Sequence, residues 1–331
     1  MESKTKFRAS HETVKRMAEK HFPGAEVHSI EELTEGMFNS VYAIRGTGIM
    51  ENGIILKIGA APGTEILIYE KDIMRTEIEA YKLLEGTPVK NPRLLAYDYS
   101  RREIPCDYFF MEMVKGVMWK DCLKEITQEK RSGLMYELGK CSAAVHSVKG
   151  SRFGYLKEDK RFHFDTWGEA FSAMMSDILE DGRIRDCSLP YEEIEEAVKI
   201  RFDCLNEITV PCLVDFDMWA GNVFIDEATC SHITGMIDFE RCFYGDPAAD
   251  FTSAEMLFHQ VEDEKEFQRG YAEVSGKPFE ITENDRIRMN LYRLYMTVIL
   301  FVEAYRYDEE YEAKMKAGCG NYIRRLLEEL K

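Results

Sequence analysis

Hydrophobic and polar positions follow two different rhythms along this chain. A short amphipathic stretch over residues 10–21 opens the first. AEVHSIEELTEG, MFNSVYAIRG and GIILKIG follow, short β-rich runs broken by glycine-containing turns, which is a meander pattern. TGIMENG, between the last two, reads as a hairpin loop. YEKDIMRTEIEAYKLLEG then carries apolar residues near helical spacing and stops at Gly86. PRLLAYDYS and CDYFFMEMV supply two more strand patterns. The first 114 or so residues therefore predict a five-stranded antiparallel sheet with one long helix after the third strand.

Beyond Gly116 the period lengthens to that of helices. SGLMYELGKCSAAVHSV, TWGEAFSAMMSDILEDG and PYEEIEEAVKIRFDCLNEI are amphipathic at 3.6-residue spacing. A compact insert, CLVDFDMWAGNVFIDEATCSHITGMIDFE, interrupts them with three short β-type runs separated by polar loops. From Asp246 the pattern is helical to the end. No internal repeat and no low-complexity linker intervenes. The boundary between the two regimes falls near Met113–Gly116.

Composition adjusts this picture in three ways. The 331 residues, 45% hydrophobic and 12% aromatic, suit two packed lobes rather than one core. The balance of 43 basic against 60 acidic residues gives −17, which disfavours phosphate-neutralising nucleic-acid binding and an anionic membrane surface. That charge either serves solubility or attracts a cationic small molecule or basic partner. No segment approaches bilayer-spanning length and no secretory signal opens the chain. The nine cysteines are an odd number, scattered, and mostly set in apolar runs (Cys122, Cys141, Cys204, Cys212), as in a reducing, cytoplasmic setting.

The chemistry concentrates in the insert. An apolar strand delivers Asp217 into a tight loop, Asn222 follows where a new strand begins, and Asp238 ends a further strand. One carboxylate and two metal-type oxygen ligands can thus meet at one end of a small sheet. Phosphoryl transfer needs such a set, with a carboxylate to take or orient the nucleophile's proton and hard oxygen ligands to hold Mg²⁺ against phosphates. Taken singly, Asp217 and Asn222 would be turn residues and Asp238 a strand-end cap; jointly they form a pattern.

That pattern, D-x-x-x-x-N, then Ile237-Asp238-Phe239-Glu240, then Gly245-Asp246-Pro247-Ala248-Ala249-Asp250, resembles the aminoglycoside phosphotransferase family, small-molecule kinases with a protein-kinase-like fold. The resemblance implies an α+β bilobal molecule. Residues 1–114 would form a nucleotide-binding lobe with an antiparallel sheet. Residues 115–331 would form a mostly helical lobe with the catalytic loop and acceptor pocket. It implies Asp217 as catalytic base, Asn222 and Asp238 as metal ligands, and a phosphate-covering turn at Gly36, Asn39 and Ser40. Gly36 alone also fits an ordinary hairpin glycine. The family's third-strand lysine maps to Lys57, on the face shared with Ile55. The helical glutamate that holds it maps to Glu77, with Glu79 as competitor. Phe110-Met111-Glu112-Met113-Val114-Lys115-Gly116 fits the hinge, so the backbone of Glu112 and Val114 would meet the adenine. Ala144-Val145-His146 matches the helix end that follows, where a histidine is a structural element.

One departure stands out. The family's H-G-D is here Asp215-Phe216-Asp217, and two neighbouring carboxylates left unpaired raise one pKa. Asp215-x-Asp217 also resembles the D-x-D of nucleotide-sugar glycosyltransferases, which explains neither Asn222, Asp238 nor Lys57. The expected activity is Mg²⁺-dependent transfer of the γ-phosphoryl group of ATP or GTP to a hydroxyl of a small molecule. A nucleotide-binding pseudokinase with a regulatory role is the alternative. Trp219, Glu240, residues 260–264, Tyr292, Tyr295 and Glu303 are candidates to line a pocket for a cationic acceptor, or to serve as ordinary packing and solvated faces. Oligomeric state is not legible.

Overall fold

The computed structural model describes residues 4–34, 36, 38–254 and 260–331. In chain order these form α1 (His11–His21), β1 (Glu26–Leu33), β2 (Ser40–Thr47), β3 (Ile54–Ile58), α2 (Ile73–Leu84), β4 (Leu94–Asp98) and β5 (Tyr108–Glu112). β6 (Val117–Met118), α3 (Gln128–Ser147), β7 (Gly154–Tyr155), α4 (Trp167–Ile184), α5 (Tyr191–Lys199) and α6 (Phe202–Leu205) follow. The remainder is β8 (Cys212–Val214), β9 (Val223–Ile225), β10 (Ile233–Met236), β11 (Phe243–Gly245), α7 (Ala248–Ser253), α8 (Lys265–Ser275), α9 (Glu283–Glu303) and α10 (Glu309–Glu329). Among the described residues no helix is long and apolar enough to cross a membrane.

The chain divides into two compact units. The first comprises Met1–Ile66 and Asn91–Lys115. Its sheet runs β1-β2-β3-β5-β4, antiparallel at every step. Ser10 opens α1 by accepting from the Thr13 amide, and Val14, Met17 and Ala18 bury one face of that helix. They join Tyr42, Ile44, Ile54, Leu56, Ile58, Tyr108 and Phe110 in one core. The period-2 alternation of β3 leaves Ile55 and Lys57 on the opposite face. Lys57 lies in register with Val41 on one side and Phe109 on the other, and is only 6% exposed.

The second unit comprises Leu67–Lys90 and Gly116–Lys331. Chain order alone groups α2 with the sheet, but its bonds tie it here. Thr76 Oγ1 donates to Leu156 O at 3.2 Å. Just before the helix, the Ile68 amide donates to Asp181 at 2.6 Å, and Glu70 pairs with Arg306, both buried. Two small sheets, β10-β9-β6 and β7-β11-β8, sit among the helices. An aromatic core of Trp167, Phe171, Phe216, Phe243, Tyr292 and Tyr295 fills the centre. Helices α3 and α8 cross with almost no space between backbones. A Cβ on Gly139 would lie 2.1 Å from Phe267 O, and one on Gly270 2.0 Å from Tyr136 O.

Candidate active site

The catalytic-loop sequence is shaped by one buried carboxylate. Asp250, at the end of the Gly245–Asp250 motif, accepts from the amides of Phe216 at 2.6 Å and Asp215 at 3.1 Å. His146, at the end of α3, meets its Oδ2 at 2.8 Å. Ser253 Oγ accepts from the Met218 amide at 3.2 Å. These bonds hold Phe216 in the left-handed region, at φ 60°, and turn the chain out of β8. Asp246, directly after β8's partner strand β11, accepts from the Ala248 amide and from Arg288 and Tyr292, fixing α7 and with it Asp250.

The loop then folds onto itself. Asn222 Nδ2 donates to both the carbonyl and the carboxylate of Asp217, each at 3.0 Å. β9 pairs with β10 through Val223 and Met236, and the Ile237 amide donates to Asn222 O at 3.0 Å. Asn222 and Asp238 therefore leave the sheet side by side. Asp238 sits at φ 69°, a costly conformation for a residue with a Cβ, and its amide donates to Tyr81 of α2 at 3.3 Å. Tyr81 in turn reaches Glu77. One carboxylate oxygen from each of Glu77, Asp238 and Glu240 lies within 4.8 Å of the others.

Electrostatics follow from this crowding. Burial, then the charges of Asp250, Asp217 and Asp238, push the Asp215 carboxyl well above the ordinary carboxylate range. Burial likewise pushes Asp217 up to about 6; Arg241 opposes this, Asp238 adds to it, and the Asn222 hydrogen bond opposes it. The oxygen-only donor set of Asn222, Asp238 and the neighbouring carboxylates is what a hard divalent cation such as Mg²⁺ requires.

In the first unit, Asn39 and Ser40 are buried at the start of β2, while Gly36 is exposed. A Cβ on Gly36 would meet its nearest atom at 3.7 Å, so space does not demand glycine there. Glu35 and Met37 of the same turn lie outside the described residues. Glu112 closes β5, its amide bonded to Arg93 O and its carboxylate 3.1 Å from Arg93, and half-buried Val114 follows. Of the residues considered for an acceptor pocket, Tyr292 and Tyr295 are sealed in the aromatic core, and Glu303 is buried beside Arg241. Trp219 is half-buried under Lys120, whose Nζ lies 5.8 Å from the ring centroid. Sequence reasoning passed over Arg241 and Tyr81. The signal for Arg241 was a lone cation three positions after Asp238; Tyr81 had none beyond an α2 position four residues from Glu77.

Residues 29–286 match the phosphotransferase enzyme family. The chain belongs to that family. Among solved structures it is similar to an inferred aminoglycoside phosphotransferase from Ralstonia eutropha (15% identity, 98% of this chain and 97% of that one, TM-score 0.66). It is also similar to an inferred fructosamine-3-kinase from Thermobifida fusca (17%, 96% and 100%, TM-score 0.67). A thermostable mutant of aminoglycoside phosphotransferase APH(4)-Ia, solved with ADP and hygromycin B, matches at 14% identity over 96% of this chain and 98% of that one, TM-score 0.64. No curated protein sequence matches significantly. The family makes this chain a phosphotransferase of the small-molecule kinase type, and the fold is the protein-kinase-like α+β fold expected from the sequence.

Proposed function

We propose that this phosphotransferase moves the γ-phosphoryl group of ATP or GTP to a hydroxyl of a small molecule, an aminoglycoside-type antibiotic or a metabolite, with Mg²⁺ as cofactor. The observation that carries this reading is the Asp217–Asn222 pair in one loop, set beside Asp238 at the next strand end. Asp217 orients the acceptor hydroxyl and takes its proton. The new bond joins the acceptor oxygen to phosphorus, the bond from phosphorus to the β-phosphate bridge breaks, and the departing nucleoside diphosphate keeps the electron pair. Asn222 and Asp238 would hold Mg²⁺, which supplies charge neutralisation at the phosphates.

In this reading residues 1–114 carry the nucleotide. Lys57 meets phosphates, the turn at Gly36, Asn39 and Ser40 covers them, and the backbone of Glu112 and Val114 meets the base. Glu77 is the family's acidic counterpart of Lys57. Residues 115–331 carry the loop and the acceptor pocket. The excess of 60 acidic over 43 basic residues favours a cationic acceptor.

A coupled assay of diphosphate release, run with ATP and with GTP against hydroxylated cationic antibiotics and common metabolites, finds the acceptor. Asp217→Asn should then lower turnover by about 10²–10⁴-fold with nucleotide affinity kept. A variant as fast as wild type removes Asp217 from the chemistry. Nucleotide binding without any Asp217-dependent hydrolysis or transfer marks the pseudokinase instead.

A further inference from the structure

The chain ahead of α1 runs over the first unit beside the turn between β1 and β2. Ala9 anchors it there: its amide donates to Tyr42 Oη at 3.0 Å, and Tyr42 Oη donates to Ala9 O at 3.2 Å. Phe7 and Ala9 pack on the core that Tyr42 and Leu56 share with α1. Arg8 Nε lies 3.3 Å from Glu32 Oε1, near the end of β1. Two further bonds reach the turn itself, one at each end. Lys6 Nζ donates to Thr34 O at 3.4 Å, and Thr5 Oγ1 donates to Phe38 O at 2.9 Å. The first bond is exposed, whereas Thr5 is 2% exposed and its bond is shielded from water.

Breaking a shielded bond of this kind leaves a buried carbonyl without a partner, so the Phe38–Asn39 peptide is held in one orientation. A planar trans peptide points its N–H opposite to its carbonyl. With the Phe38 carbonyl turned to Thr5, the Asn39 N–H is turned away from it. Strand pairing tells which side that is. Tyr42 pairs with Leu56 on the face that the N-terminal segment covers, and Val41 pairs with Lys57 on the other. The Asn39 amide is thus aimed to the face of Lys57.

We propose that Thr5 is a positioning residue for the nucleotide: by holding the Phe38 carbonyl, it presents the Asn39 amide to a phosphate oxygen of the bound triphosphate. This rests on the kinase reading above, in which this turn covers the phosphates. An N–H set in place before the ligand arrives needs no reorganisation when the charge comes up to it. Thr5 itself touches no nucleotide and takes no part in the transfer.

The test uses the full chain with Mg²⁺ and compares each nucleotide with its own nucleoside, ATP with adenosine and GTP with guanosine. The nucleoside reaches the hinge but not this turn. Thr5→Val keeps the shape of the side chain without the donor, and Thr5→Ser keeps the donor. The result expected is a triphosphate affinity lowered fivefold or more in Thr5→Val, a nucleoside affinity within twofold of wild type, and wild-type values for both in Thr5→Ser. Where Thr5→Val loses its cooperative thermal transition, Tyr42→Phe takes its place, since it removes the Ala9 anchor and leaves the ring in the core; the same selective loss is expected. Affinities for triphosphate and nucleoside that both hold, or that fall by the same factor, overturn the inference, because a merely structural residue weakens both alike. A loss that Thr5→Ser does not restore overturns it too. In each of these cases the kinase reading stands. A wild-type chain that binds neither triphosphate overturns both.

Discussion

At the residue scale, the loop around Asp217 depends on a carboxylate that bonds its backbone. The sequence signature put Asp217, Asn222 and Asp238 on the page because chemistry fixes their types and spacing. It also flagged Asp215, where the family carries histidine, and the expectation that one of two adjacent carboxylates must rise in pKa matches the direction found for Asp215. What spacing could not convey is that Asp250, 33 positions beyond Asp217 in the chain, holds the loop by accepting from two of its amides. Asparagine is nearly isosteric there but has one acceptor oxygen, and its NH₂ would face either an amide N–H or His146. Asp250→Asn should therefore cost about 2–4 kcal/mol, since two charge-assisted bonds weaken and a buried donor loses its partner. Urea unfolding reads the cost. A loss under about 0.5 kcal/mol would mean that the loop holds its shape without Asp250.

At the element scale, periodicity found the long elements, and the apolar runs of the insert found the short strands β8, β9 and β10. The helix read over residues 10–21 is His11–His21, and the five strands of the first sheet lie in the runs that predicted them. The strand order, with β5 inserted between β3 and β4, left no mark in local sequence. Strands β6, β7 and β11 have two or three residues, too few to show a period. The membership of α2 was equally hidden, because it turns on partners such as Glu70 and Arg306 that are 236 positions apart. Helix crossings belong to the same hidden class. Alanine exceeds glycine in helix propensity by about 1 kcal/mol, so propensity alone expects Gly139→Ala to stabilise α3. The added methyl would instead stand 2.1 Å from Phe267 O, and backbone cannot swing aside as a side chain can. Overpacking of this kind costs about 1–3 kcal/mol and reverses the sign. Thermal unfolding of Gly139→Ala and Gly270→Ala should show lower midpoints for both, whereas a raised midpoint in either would mean that α3 and α8 are not in contact there.

At the scale of the whole molecule, stability responds to pH through groups far from the loop, and Lys157 is one that can be isolated. It is 8% exposed in the second unit, its Nζ donates to Tyr69 O at 2.6 Å, and it lies 4.3 Å from the centroid of the Phe162 ring and 4.8 Å from that of Tyr155. Burial lowers its pKa from 10.5 to about 7, with Asp72, Asp177 and Glu70 pulling up and Arg161 pushing down. Below pH 7 the amine is protonated in both folded and unfolded chains, so the penalty for burying the ammonium is present in full. Between pH 7 and 10.5 the unfolded chain holds a proton that the folded chain has released, and folding gains stability as pH rises. The gain is at most about 1.4 kcal/mol per pH unit. The net charge of −17 works the other way, since its self-repulsion grows as other groups lose protons, so the wild-type curve alone mixes the two. Lys157→Met removes the titration and keeps the chain length of the side chain against Phe162. The difference in unfolding free energy, wild type minus variant, should rise across pH 7 to 10 and stay level from pH 5 to 6.5. A difference that is flat over the whole range would show that Lys157 stays charged in the fold, held by Asp72 and the two rings, and that burial does not set its state.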